Sequence, residues 1–380
     1  MTDAPASVPA VTRSRSVGPR APLGLLGLLL VVSLIAGCSA VETSSASSPA
    51  PASPTGAPTT VRSTTSTSHP PTSAAQPALA PPKIPATGAY FGAWRGPGPG
   101  RSTDPRASIA DIESAIGRTY AIDHEFYDWG APIPDSYDRW TSARGRIPMV
   151  SLCACRFKDG SNVAWARIAS GKEDTYLNSV AVGLVAFAKP VFFVFESEPE
   201  AQVGVRGTVA DYLHAWSHVV ALFRARGATN VAFVWAMTSY AFRPESGELA
   251  LAQSLYPGDK IVDWIAADPY NFDNNGAWHS LSFELGPWYS WATTYHPTKP
   301  LALTEWGSKE DPSQPNRKAA WFRDAASKLE SSYQAIRAVV YFDERKHERG
   351  IVNDWRVDTS PASLAAFAEI SRAAWFRPVA

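Results

Sequence analysis

Two glutamates, Glu198 and Glu305, are the residues best placed for chemistry in this sequence. Each follows a short apolar stretch, Val191–Phe195 in one case and Leu301–Thr304 in the other, that is typical of a buried strand. A carboxylate at the carboxyl end of a parallel strand lies where α/β folds carry out their chemistry. Cleavage of a glycosidic bond needs two such groups, one as proton donor and one as nucleophile or base. On spacing alone, helix-capping or ion-paired glutamates would explain the pattern equally well.

Short apolar stretches recur along the chain and alternate with segments of helical periodicity. There are eight: Ala89–Trp94, Tyr120–Phe126, Ile147–Leu152, Val191–Phe195, Val231–Trp235, Ile261–Ala267, Leu301–Thr304 and Ala338–Phe342. Helices are predicted over Val209–Arg226, Lys318–Leu329 and Ser363–Trp375. Strands that are apolar throughout indicate a parallel sheet covered on both faces. Eight strand–helix units predict a (β/α)8 TIM barrel over residues 86–380, and an open doubly wound sheet is the less favoured alternative.

The region before the barrel has the features of a targeting signal. A positively charged stretch precedes the apolar segment Leu23–Ile35, which is too short to span a bilayer, and small residues lead into Cys38. This arrangement predicts a lipoprotein signal peptide over residues 1–37 that uses the general secretory route. A lipid on Cys38 would anchor the mature chain at the extracellular face of the cell membrane. An ordinary secretory signal with an incidental cysteine is the alternative.

The segment from residue 38 to residue 85 is composed almost entirely of Ser, Thr, Ala and Pro. Such a composition buries too little apolar surface to offset its ordering entropy, so we predict a disordered linker. The whole chain has 35 basic and 35 acidic residues and a formal net charge of zero, which disfavours binding to nucleic acid. We expect a monomer.

The cysteines and histidines do not predict a metal site. Cys153 and Cys155 are two residues apart, and they form either a disulfide or two free thiols. The acidic cluster Asp123-His124-Glu125 with Asp128 would contact substrate or a metal. With seven histidines in the chain and no partner cluster nearby, we expect no metal and no cofactor.

Four segments of the barrel region carry a family resemblance. They are Ser197–Glu200, Asn230–Trp235, Tyr256–Asn271 and Lys299–Gly307, of which Tyr256–Asn271, with its Tyr-Pro-Gly-Asp and Asp-Pro-Tyr motifs, is the most specific. Together they resemble glycoside hydrolase family 26, the β-mannanase family in the large clan of retaining barrel glycosidases. The resemblance implies a (β/α)8 barrel and a polysaccharide substrate cleaved with retention of configuration.

The resemblance also implies roles for the two glutamates. By motif, Glu198 is the acid/base and Glu305 the nucleophile, with Tyr270 as a hydrogen-bond donor to Glu305. Glu198 must be protonated to act as an acid, and Glu196 and Glu200 would help to raise its pKa. Alternation along an extended strand would project Glu196 and Glu198 to the same side, so only position and motif favour Glu198.

The chain departs from the family pattern at two positions of the fourth strand. It has Ser197 where the family has a histidine and Val194 where the family has an arginine. Tryptophans at strand ends favour a sugar ligand, because indole faces stack on pyranose rings. The predicted substrate-binding residues are Ser197, Trp94, Trp235, Tyr270, Trp306 and Phe342, and Trp129 and Trp278 are also expected near the mouth of the barrel.

These observations predict a retaining endo-glycosidase that acts on a β-linked polysaccharide, with β-1,4-mannan as the first candidate. A β-glucan or a β-xylan is the alternative within the same clan. A catalytically inactive barrel that binds cell-wall glycan is the alternative from another class of protein, and the missing histidine and arginine favour it.

Overall fold

The computed structural model describes residues 79–271, 277–348 and 351–377. The predicted signal peptide, Cys38 and the linker as far as residue 78 lie outside the described residues. Residues 79–85 form neither helix nor strand, and the carbonyl of Leu79 accepts a hydrogen bond from Thr229 Oγ1 at 3.1 Å. Within the described ranges, no helix combines the length and the apolar character that a membrane span requires.

Eight parallel strands close into a barrel, so the predicted (β/α)8 fold is confirmed. The barrel strands are β1 (Tyr90–Trp94), β2 (Ile122–Tyr127), β3 (Ile147–Leu152), β4 (Val191–Phe195), β5 (Val231–Thr238), β6 (Trp264–Asp268), β7 (Leu301–Leu303) and β8 (Ile336–Phe342). Each strand pairs with the next, and β8 pairs with the whole length of β1, from Tyr90 opposite Ala338 to Trp94 opposite Phe342.

Helices follow the strands along the chain. The described residues contain α1 (Pro105–Ile116), α2 (Ser136–Ala143), α3 (Trp165–Ala169), α4 (Asp174–Phe187), α5 (Val209–Ala225), α6 (Leu249–Ser254), α7 (Leu281–Tyr295), α8 (Arg317–Ser331) and α9 (Pro361–Arg372). Capping fixes several boundaries: Thr208 and Asp211 form a capping box at the start of α5, and Gly117 ends α1 in a left-handed conformation with φ 68°.

Side chains alternate between the two faces of each strand, and this alternation decides which residues reach the site. Even-numbered residues of β4, β5 and β6, together with Ala338 and Val340 of β8, point into the barrel, where Phe192 and Trp264 meet edge to face with ring centroids 5.1 Å apart. Odd-numbered residues of the same strands point outward and pack against the helices in the larger apolar core.

Two small sheets lie beyond the carboxyl ends of the barrel strands. Tyr270–Asn271, directly after β6, pairs with Gly307–Ser308 after β7. After β8 the chain forms the antiparallel hairpin Arg345–Glu348 and Ile351–Asp354, here called the β8 hairpin. Both sheets bring loop residues to the same end of the barrel as the predicted catalytic glutamates.

The loop after β3 carries a disulfide between Cys153 and Cys155, which decides between the two alternatives for these residues. The backbone N–H of Ala154, between the two cysteines, donates a hydrogen bond to Glu196 Oε2 at 3.0 Å. The β3 loop is thereby joined to the segment that carries Glu198.

Candidate active site

The end of β4 turns sharply to present Glu198. The strand ends at Phe195, and Glu196 and Glu198 then adopt left-handed conformations with φ 56° and 50°. Pro199–Gln202 continues as a short 3₁₀ helix, and the N–H of Glu198 bonds to the carbonyl of Ala236 at 3.1 Å. Left-handed backbone is uncommon for residues other than glycine and clusters at functional sites. Because the strand ends at Phe195, the expectation that strand alternation projects Glu196 and Glu198 to the same side is wrong.

Glu196 is occupied by partners on neighbouring loops. Its buried carboxylate forms an ion pair with Arg206. It also accepts hydrogen bonds from the N–H of Ala154 at 3.0 Å and from Trp165 Nε1 at 3.3 Å. Glu196 therefore joins the β3 and β4 loops and does not act on Glu198 in the way that the sequence suggested.

Glu200 and Glu198 differ in their partners. One oxygen of Glu200 accepts hydrogen bonds from the N–H of Thr238 at 2.7 Å and from its hydroxyl at 2.6 Å, while burial raises the pKa of Glu200 to about 7. The carboxyl of Glu198 has no hydrogen-bond partner among residues 79–271, 277–348 and 351–377. Glu198 lines a small cleft with Ser197 and Gln202. Glu198 and Gln202 are buried, and Ser197 is half-buried.

Glu305 is held on two sides just after β7. Tyr270 donates its hydroxyl proton to Glu305 Oε2 at 2.6 Å, and the N–H of Glu305 donates to Asp268 Oδ1 at 2.8 Å. The same oxygen of Asp268 accepts a bond from the hydroxyl of Thr304 at 2.6 Å. Asp268 is a site residue that the sequence analysis missed, although it lies in the Asp-Pro-Tyr motif two residues before Tyr270.

The electrostatic environment separates the two glutamates. Burial raises the pKa of Glu198 well above its ordinary value, and the negative charges of Glu305 and Asp268 raise it further. Burial also raises the pKa of Glu305, but the hydrogen bond from Tyr270 and the positive charge of Lys346 lower it. Glu198 therefore keeps its proton to a higher pH than Glu305. Glu198 is thus suited to donate a proton and Glu305 to remain a carboxylate, and the charge of Glu305 acts on Glu198.

Two predicted sugar-stacking residues are buried in the core. Trp235 lies at an odd-numbered position of β5, so it faces the helices and packs against Tyr256 and Trp291 with centroids 5.0 and 5.9 Å away. Trp306 stacks on Trp321 with centroids 5.4 Å apart and is fully buried. Neither indole face is open to a ligand, so the prediction that these residues bind substrate is wrong.

Phe342 and Trp94 lie at the mouth of the barrel. Phe342 is 2% exposed because it packs against Tyr270 and Trp355, so its ring supports Tyr270, and the prediction that it stacks on sugar is wrong. Trp94 is partly exposed, donates its Nε1 proton to Glu344 Oε2 at 3.1 Å and meets Phe126 edge to face. Of the four aromatic residues predicted to stack on sugar (Trp94, Trp235, Trp306 and Phe342), only Trp94 is partly exposed.

The remaining candidates support the barrel in other ways. Trp129 is buried and bonded to Glu173, while Trp278 packs beside Arg317. Asp123 is buried and bonded to helix α2, and His124 contacts a serine inside the barrel. Across the described ranges, no group of three or more His, Cys, Asp or Glu residues is arranged to hold a metal ion.

Solved structures share this architecture. A β-mannanase of glycoside hydrolase family 26 from Bacteroides ovatus superposes with a TM-score of 0.56 at 18% identity, over 77% of this chain and 91% of that one. A family 26 protein from Muricauda gives a TM-score of 0.55 at 14% identity, over 77% and 87% of the two chains. The chain shares its fold with these two family 26 proteins. The resemblance predicted from the four sequence motifs is confirmed by this shared fold.

A curated relative has higher sequence identity. Endoglucanase H of Acetivibrio thermocellus is 28% identical over 295 residues, which is 74% of this chain but 30% of the relative. The chain thus corresponds to less than a third of that longer protein. No protein-family model matches the chain.

Proposed function

We propose that the protein is a retaining endo-glycosidase that cleaves a β-linked polysaccharide, with Glu198 as the acid/base and Glu305 as the nucleophile. One observation carries this proposal. Two buried carboxyl groups stand at the ends of β4 and β7, and the pKa of Glu198 is raised more strongly than that of Glu305. This is the division that a retaining mechanism requires, since the donor must be neutral and the attacking group charged.

In the first step, the Glu305 carboxylate attacks the anomeric carbon and forms a glycosyl ester. The bond to the leaving oxygen breaks, and Glu198 transfers its proton to that oxygen. In the second step, Glu198, now a carboxylate, takes a proton from water while the water oxygen attacks the anomeric carbon. The ester bond to Glu305 breaks, and the sugar leaves with its original configuration.

The interaction between the two carboxyl groups makes the role of Glu198 reversible. The negative charge of Glu305 helps to raise the pKa of Glu198 in the free protein. Formation of the ester removes that charge, so the pKa of Glu198 falls in the intermediate. Glu198 is therefore a proton donor in the first step and a better stabilised carboxylate, able to act as base, in the second.

The first candidate substrate is β-1,4-mannan, because a family 26 β-mannanase shares the fold and because the segments around Glu198 and Glu305 resemble that family. A β-glucan is the second candidate, since the curated relative with 28% identity is named an endoglucanase. Val194 and Ser197 stand where the family pattern has an arginine and a histidine. We therefore expect substrate specificity on this side of the cleft to differ from that of the family.

We further propose that the protein is secreted and anchored to the outer face of the cell membrane by a lipid on Cys38. The lipoprotein-type sequence around Cys38 and the Ser/Thr/Pro/Ala-rich linker support this location. On this proposal, the linker carries the barrel away from the membrane toward polymers too large to enter it.

A polysaccharide panel tests the proposal. The full-length protein is incubated with β-mannan, β-glucan and xylan, and new reducing ends are measured, with Glu305→Gln as the matched inactive control. Early products are examined by proton NMR for anomeric configuration. We expect shortened chains and retained β-products. Inverted products would contradict the assigned mechanism, and glycan binding without any new reducing ends would support the inactive barrel.

A further inference from the structure

The mouth of the barrel concentrates buried negative charge. Glu198, Asp268 and Glu305 are each at most 5% exposed, and none of them forms an ion pair within 4.0 Å in the part of the chain that the structure describes. Charged groups that leave water without a counter-charge are strongly disfavoured. A nucleophile that must stay ionised in this setting therefore needs a source of positive charge.

The arginines around the mouth are already committed to other carboxylates. Arg206 pairs with Glu196, while Arg95 and Arg101 both pair with the fully buried Asp343 at 2.5 and 2.6 Å. Strand four contributes no cation near Glu198. A positive charge that acts on both Glu198 and Glu305 comes from Lys346 in the β8 hairpin.

Lys346 is positioned by the β8 hairpin beside an aromatic ring. It lies opposite Asn353 in the β8 hairpin, and its Nζ is 6.0 Å from the centre of the Phe342 ring. Phe342 packs against Tyr270 with centroids 5.9 Å apart, and Tyr270 bonds directly to Glu305. Within the described ranges, the ammonium group of Lys346 has no hydrogen bond and no ion pair.

We infer that Lys346 is a positioning residue of the reaction, whose ammonium group, held over Phe342 at the rim of the mouth, keeps Glu305 charged for attack. The inference rests on the proposed function. Its electrostatic part agrees with the geometry, because the charge of Lys346 lowers the pKa of both Glu198 and Glu305. The hairpin after β8 thus provides a positive charge near Glu305, whereas β4 contains no basic residue.

Other charged groups lie at the mouth of the barrel and along the β8 hairpin. They are Glu198 and Glu200 after β4, Asp268 at the end of β6, Glu305 and Lys309 after β7, Glu344 before the hairpin, and Asp354 with its partners Arg345 and Arg356. Glu344 also has its pKa raised by burial, and Lys346 lowers it. Removal of Lys346 is therefore expected to raise the pKa of several carboxyl groups together.

The test is the pH dependence of kcat/KM for Lys346→Gln in the full-length protein. Loss of the positive charge raises the pKa of Glu305 and of Glu198, so both limbs of the bell-shaped profile move to higher pH, by about one unit. Lys346→Arg restores the charge and returns the profile toward that of the wild type. Arg345→Gln is the matched control, since it removes the same charge from the adjacent hairpin position, where the guanidinium lies 3.7 Å from Asp354, and the profile is expected to stay in place.

Two outcomes overturn the inference. One is a Lys346→Gln profile that coincides with the wild-type profile. The other is a rise in KM with kcat unchanged at every pH, which would make Lys346 a substrate contact. The urea midpoint of Lys346→Gln, compared with that of Arg345→Gln, shows whether the hairpin remains folded.

A measurement without substrate separates this inference from the proposed function. The glutamate side chains of the full-length protein are labelled with ¹³C at the carboxyl carbon, and Glu305 is assigned by comparison with Glu305→Gln. We expect the Glu305 resonance to titrate at higher pH in Lys346→Gln than in the wild type. An unchanged titration overturns the role of Lys346 even if the enzyme is active, and a shifted one supports it even if no polysaccharide is cleaved.

Discussion

Three glutamates within five residues, Glu196, Glu198 and Glu200, have three different environments. Glu196 is neutralised by an arginine, and Glu200 accepts two bonds from one threonine. Glu198 has neither kind of partner in the described structure and is surrounded by negative charge. Residue type alone does not distinguish them. Their hydrogen bonds leave Glu198 as the one whose proton is available to a ligand.

Replacement of Glu198 tests this assignment. Glu198→Ala should lower the hydrolysis of polysaccharide about 10²–10⁴-fold, because departure of a sugar alkoxide needs a proton. Activated aryl glycosides should be partly spared, and azide should accelerate their turnover by attacking the intermediate. Initial rates with and without azide provide the measurement. Glu196→Ala is the comparison, and an azide-rescued pattern there, with Glu198→Ala still active on polysaccharide, would show that the wrong residue has been assigned.

Tyr270 has a distinct effect on the nucleophile. Its hydrogen bond to Glu305 lowers the pKa of that carboxyl, so Tyr270→Phe should raise it. Activity that requires ionised Glu305 is then lost at a higher pH, and the acidic limb of kcat/KM moves upward. Loss of a hydrogen bond to a charged group should also lower kcat about 10–100-fold at the optimum. A pH–rate profile with an unmoved acidic limb would contradict this role.

At the scale of elements, sequence patterns located every barrel strand but not every boundary. Ile261 and Val262 were predicted to begin a strand, yet their N–H groups bond to the carbonyl of Gly258 and form a turn, so β6 begins at Trp264. Apolar turns and apolar strands look alike in a local window of sequence. The barrel itself was predictable because eight stretches, each apolar throughout, leave few alternatives.

The site was predictable only where a motif marks it. Glu198, Glu305 and Tyr270 lie in recognisable segments directly after strands. Trp355 and Lys346 reach the mouth through the β8 hairpin, a long-range arrangement that no local pattern encodes. The prediction at Trp235 is wrong for another reason. Proximity to a strand end does not decide which way a side chain faces, and alternation turns the odd-numbered residues of β5 toward the helices.

This alternation makes opposite predictions for two tryptophans. Trp235→Ala removes a fully buried ring and should lower the free energy of unfolding by about 3–5 kcal/mol, with KM unchanged where the protein is folded. Trp94→Ala should raise KM for polysaccharide and cost less stability, because Trp94 is partly exposed at the mouth. Urea unfolding and steady-state kinetics on both variants decide the matter. A raised KM for Trp235→Ala alone would reverse our assignment.

The buried pair of Glu196 and Arg206 should be important for folding. Arg206→Met leaves the Glu196 carboxylate buried without its counter-charge, which costs about 3–5 kcal/mol. The double variant Arg206→Met with Glu196→Gln should recover part of this loss, since it removes the unpaired charge. Chemical unfolding of the wild type, of Arg206→Met, of Glu196→Gln and of the double variant measures the coupling. Equal losses in Arg206→Met and the double variant would argue against it.

For the whole molecule, the attachment to the membrane is the property to test. If Cys38 carries a lipid, the wild-type protein should partition into the detergent phase, and Cys38→Ser should appear in the aqueous phase or in the medium. Phase separation followed by mass spectrometry of the N-terminus provides both readings. Wild-type protein that is free in the medium and still carries residues before Cys38 would exclude the lipid anchor.

Both ends of the described chain lie at the end of the barrel opposite the mouth. Leu79 bonds to Thr229 just before β5, and Ala89 at the start of β1 exchanges backbone hydrogen bonds with Trp375 and Arg377. A solid support coupled to either end of the domain would therefore lie on the side of the barrel opposite the mouth. An immobilised form of the protein, on a bead or on a cell, would leave its cleft open to insoluble fibres, and an affinity tag at either end would stay clear of it.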